Sequence, residues 1–165
     1  MEVCPSSIVG TVLRRMEYYK ERNQLESILD IGAGKGIFGF LARNYFNQIK
    51  IIDAVEPKPC KSLYDIYDSV IEKKIEEYID EIEYYDIILI IHVMEHLRKD
   101  IAIDIIEKLK SKCDLLIFSS PATYMNLKPH LKDLKTHKSF FTDNEIKGMN
   151  GKEVMLKARC KVYEL

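Results

Sequence analysis

No stretch of this 165-residue chain approaches the roughly 18 consecutive apolar residues of a membrane-spanning helix, so neither a span nor a membrane partner is expected. Cysteine is sparse: Cys4, Cys60, Cys113 and Cys160 stand too far apart for a zinc-ligand spacing, and nothing resembles a secretory signal. Reduced thiols in a cytoplasmic protein are the simplest expectation. Neither sign of charge dominates. With 25 Lys and Arg against 26 Asp and Glu, the chain lacks the basic excess of a general nucleic-acid coat, which leaves only local patches open. Repeats and low-complexity linkers are missing too. What remains, 47% hydrophobic and 31% charged residues, suits one globular domain over residues 1–165 with a sizeable core.

The most specific segment is Ile28-Leu-Asp-Ile-Gly-Ala-Gly-Lys-Gly36. An apolar strand ends in Asp30, and glycines alternate at Gly32, Gly34 and Gly36 before a helical pattern of Ile37, Phe38, Leu41 and Tyr45 begins. Glycine permits this sharp reversal because it tolerates positive φ and has no side chain to block an approaching nucleoside. The dinucleotide fingerprint requires a third glycine where Ile37 stands, and no Gly-Lys-Ser or Gly-Lys-Thr follows, so a pyrophosphate cradle is disfavoured and a P-loop excluded. A second strand, Ile49 to Val55, ends in Glu56, 26 residues beyond Asp30. In a doubly wound sheet an acid at that place can hydrogen-bond both hydroxyls of a ribose.

Strands alternate with helical patterns along the chain. The order predicts an α/β fold: a doubly wound, mainly parallel sheet of six or seven strands, helices on both faces, and an antiparallel strand near the C-terminal end. Ser6 or Ser7 can cap a first helix within residues 1–23, whose stripe of Ile8, Val9, Val12, Leu13, Met16 and Tyr19 covers the sheet. A short helix with Leu63, Ile66 and Tyr67 precedes a weak strand, Ser69 to Glu72. Asp86 to His92 reads as a central strand buried on both faces, and Leu115 to Ser119 as the fifth. Between them lies a helix with Ile101, Ile105 and Leu109 on one side and Asp104 four residues before Lys108. Thr142-Asp-Asn-Glu145 has capping-box spacing, Phe141 and Ile146 form a hydrophobic staple, and Gly148 or Gly151 ends the helix. From Val154 to Val162 apolar and charged residues alternate, as in one long strand with one wet face or a strongly abbreviated pair.

The string LDIGAGKG resembles the first motif of the class I S-adenosylmethionine-dependent methyltransferases. Tyr85 to Leu97 resembles that family's fourth-strand motif with its Glu-His pair, and residues 119–146 are similar to its stretch from the fifth strand to a histidine and an F-T-x-x-E helix start. The resemblance implies S-adenosylmethionine, and its product S-adenosylhomocysteine, bound by Asp30, Gly32, Ala33, Gly34, Gly36, Glu56, Ile75 and His92. One departure stands out: Lys73-Lys74 occupies the place of an acid that receives the adenine amine, and a lysine cannot accept that hydrogen bond. Asp80 is the expected substitute.

The cofactor carries its own electrophile, so the chain has to hold a nucleophile in line and, where needed, take a proton. Residues aimed at the carboxyl ends of the strands are His92, Glu95, His96, Tyr124, His130 and His137, of which Glu95, His96 and His137 are the catalytic candidates. His92, Glu95 and His96 share a face if their segment is helical, and with His137 they resemble the E-x-x-E-H plus distant His set of metal-dependent O-methyltransferases. Here His92 replaces the first glutamate, which favours a softer divalent metal or removes the site. Three roles stay open for this segment: metal ligation, a single histidine as general base, and loop orientation alone.

Residues 121–141 form a connection too long for a plain linker, and are expected to cap the substrate. Lys128, Lys132, Lys135 and Lys138 against Asp133 suit a small anionic molecule or an RNA end. No N-P-P-Y or D-P-P-Y string appears, which disfavours amino-methylation of a DNA base by that route. The expected activity is therefore methyl transfer to an oxygen or nitrogen of a small or anionic acceptor. RNA 2′-O-methylation and a non-catalytic S-adenosylmethionine-binding subunit are the alternatives.

Overall fold

The computed structural model describes residues 6–121, 138–157 and 160–165. Among them a seven-stranded sheet runs in the order β3-β2-β1-β4-β5-β7-β6. Its strands are β1 (Ser27–Ile31), β2 (Ile51–Val55), β3 (Ser69–Ile71), β4 (Tyr85–Ile90), β5 (Cys113–Pro121), β6 (Lys152–Lys157) and β7 (Cys160–Glu164). The first five are parallel to one another, and β7 pairs antiparallel with both β5 and β6. Strand order reverses between β1 and β4. In doubly wound sheets, ligands bind beyond the carboxyl ends of the strands at such a reversal.

Two cores form, one on each face of the sheet, because successive strand residues point to opposite sides. On one face helices α1 (Ser6–Lys20), α2 (Ile37–Tyr45) and α3 (Leu63–Ile66) cover Ile28, Ile52, Ile87 and Leu89. On the other, α4 (Ile75–Tyr78), α5 (Lys99–Lys110) and α6 (Asp143–Gly148) cover Leu29, Ile31, Ile88, Ile90 and Phe118. Burial on both faces explains the near-continuous apolar run of β4. The α1 stripe packs as its spacing predicts, with Ile8, Val12 and Met16 fully buried and Tyr19 nearly so. Asp104 and Lys108 pair at 3.4 Å across one turn of α5. Thr142 and Glu145 complete both halves of the capping box, and Phe141 and Ile146 are buried in one core. No helix among the described residues is long and apolar enough to cross a membrane.

Several boundaries differ from expectation, each for a local reason. Of the two forms open for the C-terminal segment, the short antiparallel pair β6 and β7 is the one present. Strand β2 starts at Ile51, because the N–H groups of Lys50 and Ile51 both turn to the carbonyl of Glu26. Strand β4 stops at Ile90, since His92 adopts φ 60°, which no strand accommodates. Helix α6 does end at Gly148, one of the two expected stops, while the left-handed conformation after it falls on Asn150 at φ 61°. Helix α2 buries Phe38, Gly39 and Ala42, and leaves Ile37 and Tyr45 exposed. The cause is Tyr67, whose ring lies against Gly39 and draws that face inward.

Candidate functional site

The loop after β1 is held from both sides. The Gly32 N–H donates to the Val55 carbonyl at 2.7 Å, and the Gly34 N–H donates to Glu56 Oε2 at 3.0 Å. Gly32 adopts φ +74°, and a Cβ there would lie 2.2 Å from Cγ2 of Val93. The loop after β4 therefore rests directly on the loop after β1. Gly34, at φ +57°, is different, because a Cβ there would meet nothing closer than the Gly32 carbonyl at 3.9 Å. Its bareness leaves backbone open to a ligand, whereas Gly36 is filled from behind by Leu63, Ile66 and Tyr67 of the α3 segment. Ala33 is buried between them.

Glu56 lies at the carboxyl end of β2, as its spacing predicts. Its carboxylate accepts from the N–H groups of Gly34 and, at 3.1 Å, Lys58. A carboxylate offers about four acceptor sites, so two remain for a pair of ribose hydroxyls. Asp30 is 2% exposed and accepts a hydrogen bond from the Tyr67 hydroxyl. Burial pushes its carboxyl up to about 6, against the lowering effect of that hydrogen bond, and the nearby Glu56 charge adds to the rise.

Beyond β4 the backbone turns sharply. His92 stands in the left-handed region, a conformation that costs a side-chain-bearing residue roughly 1–3 kcal/mol and clusters at functional sites. Its N–H donates to Ser119 Oγ at 2.9 Å, and its ring Nδ1 lies 3.1 Å from Glu95 Oε1. Glu95 is fully buried on the 3-10 turn Met94–His96, and its Oε2 has no hydrogen-bond partner among the described residues. The Lys138 and Ser139 N–H groups donate to the Glu95 carbonyl at 2.6 and 3.2 Å, and Ser139 Oγ donates to the Met94 carbonyl at 2.6 Å. The segment that begins at Lys138 is thus tied to this turn.

His92 and Glu95 meet, but His96 does not join them on one helical face. His96 is exposed, and no three His, Cys, Asp or Glu side chains among the described residues converge as metal ligands. His137, Tyr124, His130, Lys128, Lys132, Asp133 and Lys135 lie outside the described residues. Ile75 opens α4 at the carboxyl edge and is 4% exposed within the core of that face. The Asp80 carboxylate pairs with Lys108 at 3.1 Å in the last turn of α5, near the opposite edge of the sheet. Lys74 is the N-cap residue of α4. Spacing alone missed Val93, Ser119 and Tyr67. One signal pointed to Tyr67: a glycine inside a helix, Gly39, commonly marks close packing by another residue.

A family described as a methyltransferase domain matches the chain over residues 9–152. Among solved structures, the small RNA methyltransferase HEN1 superposes with a TM-score of 0.66 at 18% identity, over 93% of this chain and 25% of that one. This chain thus spans about a quarter of that protein. A SAM-dependent methyltransferase from Archaeoglobus fulgidus superposes at 0.64 with 21% identity, over 92% of this chain and 72% of that one. Magnesium protoporphyrin IX methyltransferase ChlM from Synechocystis PCC 6803, with bound SAM, gives 0.63 with 14% identity, over 94% and 77%. At these identities the likeness is one of fold. No curated protein sequence matches the chain.

Proposed function

The chain belongs to the class I S-adenosylmethionine-dependent methyltransferases, and from that premise we propose that it methylates an oxygen or nitrogen of a small or anionic acceptor. The observation that carries this reading is the contact of Val93 on Gly32, which sets the His92–Glu95 pair beside the glycine loop. S-adenosylmethionine, when bound, supplies an electrophilic methyl group. Gly34 leaves backbone open to that ligand, Glu56 accepts the ribose hydroxyls, and Ile75 lines the adenine side. Asp30 sits behind the loop and adds negative potential toward the cationic end of the cofactor. His92, oriented by Glu95, receives the acceptor's proton where the acceptor has one to lose. His96, exposed beside the pair, and His137 are assigned to the acceptor side.

What supports an anionic acceptor is the anchoring of the exposed Lys138 at the Glu95 carbonyl, since this residue ends the lysine-rich segment. The same anchoring supports the second reading, an RNA acceptor methylated at a 2′ hydroxyl. A cytoplasmic setting goes with both, and Cys60 and Cys113 are free thiols.

Calorimetry with S-adenosylmethionine and S-adenosylhomocysteine, followed by labelled-methyl transfer into RNA, protein and metabolite pools, tests the proposal. Binding with transfer into an anionic pool is expected, and binding without transfer in any pool would favour a non-catalytic subunit. Treatment with a chelator is expected to leave transfer unchanged. Loss of transfer with recovery on adding a divalent cation would instead assign His92, Glu95, His96 and His137 to a metal.

A further inference from the structure

Tyr67 follows α3 as its C-cap residue and is 5% exposed. Its hydroxyl is used twice: it donates to Asp30 Oδ2 and accepts from the Gly39 N–H at 3.2 Å. The second bond has a specific meaning. Helix α2 begins after Gly36, which has no side chain to cap it, so the first-turn N–H groups lack the usual partner. Tyr67 supplies a cap from 28 residues further along the chain. Two glycines make room for its ring, since a Cβ on Gly39 would lie 2.4 Å from Tyr67 Cζ and one on Gly36 3.2 Å from Cε2.

The residues around Tyr67 hold the other end of the same helix. Arg43, in the last turn of α2, donates from Nε to the Ile66 carbonyl at 3.2 Å and pairs with Asp68. Asp68 in turn accepts from the Ile52 N–H at 2.7 Å. Residues 66–68 therefore grip α2 at its first and last turns and fasten it to β2. Between Asp30 and Gly39 lie the last residue of β1, the glycine loop and the first two residues of α2. We infer that Tyr67 is a positioning residue for the cofactor, whose hydroxyl fixes the start of α2 against Asp30 and so sets the shape of the loop between them. This rests on the reading that the loop holds S-adenosylmethionine.

Asp30 is flanked in the sheet by the apolar Ala54 and Leu89, and the ionisable groups acting on it are Tyr67 from the end of α3 and Glu56 from the end of β2. Tyr67 favours the ionised carboxylate by its hydrogen bond, while Glu56 opposes it. Tyr67→Phe keeps the ring and removes both hydrogen bonds. In calorimetry with S-adenosylhomocysteine from pH 5 to 8, affinity at pH 7 is expected to fall about tenfold, the scale of one lost hydrogen bond to a charged group. The pH at which affinity is half lost should also move upward, a shift that loosened packing alone does not produce. Exchange of the Gly39 amide should lose protection. A folded variant with wild-type affinity and an unchanged pH profile would overturn the inference.

Should Tyr67→Phe fail to fold, Asp30→Asn reads the same tie from the other end. Its amide oxygen still accepts from Tyr67, so Gly39 protection should persist while the pH dependence of affinity disappears. A pH dependence like that of the wild type would count against the tie. If the wild-type protein binds no S-adenosylhomocysteine, the proposed function fails, and the strut is judged by exchange of the Gly34 and Gly39 amides alone.

Discussion

At the amino edge of the sheet, Asp86 on β4 accepts from the N–H groups of Glu26 and Ser27 at 2.6 and 2.7 Å, and Asp114 on β5 accepts from the hydroxyls of Tyr19 and Tyr84. At the carboxyl edge, Glu95 is fully buried with one oxygen near His92 and the other without a hydrogen-bond partner among the described residues. Asp30, also buried there, has its carboxyl pushed up to about 6, while the tyrosine hydroxyls hold Asp114 below its ordinary range. One edge satisfies its carboxylates and gains order from them. The other keeps carboxylates in costly surroundings and places a histidine in the left-handed region beside them. Costs of this kind gather where a ligand or a reaction needs a prearranged charge.

The sharpest way to break this contrast is at the carboxyl edge. Gly32→Ala adds a Cβ that collides with Val93 in a backbone conformation unfavourable to alanine. A loss of about 4 kcal/mol in unfolding free energy is expected from overpacking and strain together, with cofactor binding lost. Urea unfolding and calorimetry on the same sample measure both.

The next effect is a difference in pH slope. Folded Asp30 binds its proton more tightly than in the unfolded chain, so its contribution is present below the ordinary value of 3.8 and is lost as pH rises through about 6. Over that interval the wild type should lose about 3 kcal/mol that Asp30→Asn does not. Asp114 has the opposite sign, because a lowered value gives stability above the unfolded pKa that is lost as pH falls through the folded one. Unfolding curves of both Asn variants between pH 3 and 8 should therefore diverge from wild type in opposite directions. Parallel curves would remove the contrast.

A smaller change is expected at the amino edge. Asp86→Ala leaves the N–H groups of Glu26 and Ser27 without their acceptor and should cost about 2 kcal/mol, the scale of losing hydrogen bonds to a charged group at a half-buried site. The affinity of the folded fraction for S-adenosylhomocysteine should stay unchanged. A parallel fall in affinity would mean that the two edges are coupled.

The fold and the turn of the glycine loop were largely legible in the sequence, because they depend on local rules. Gly32, Gly34 and Gly36 mark a reversal, Glu56 follows an apolar run, and Thr142 with Glu145 needs only a spacing of three. The reaction side was less legible. His92, Glu95 and His96 have helical spacing, yet the backbone leaves the α region at His92, so the pair forms and the triad does not. The helical pattern of Ile37, Phe38, Leu41 and Tyr45 likewise did not reveal which face of α2 is buried, since Ile37 and Tyr45 are exposed. What decided that face was Tyr67, distant in sequence and identifiable only from the space that Gly36 and Gly39 leave empty. The ion pair of Asp80 with Lys108 was not legible either, since the two stand 28 residues apart in sequence.

Strand β7 follows β6 in the chain but is inserted between β6 and β5. During synthesis, β6 therefore emerges with no neighbour to pair with, and the edge of β5 stays open until β7 arrives. Leu116 and Leu165 close that edge by exchanging N–H to carbonyl bonds at 3.1 and 3.0 Å. An unpaired edge of this kind invites pairing with other chains. The period of greatest aggregation risk should thus follow the formation of the parallel part of the sheet and end in a single docking step.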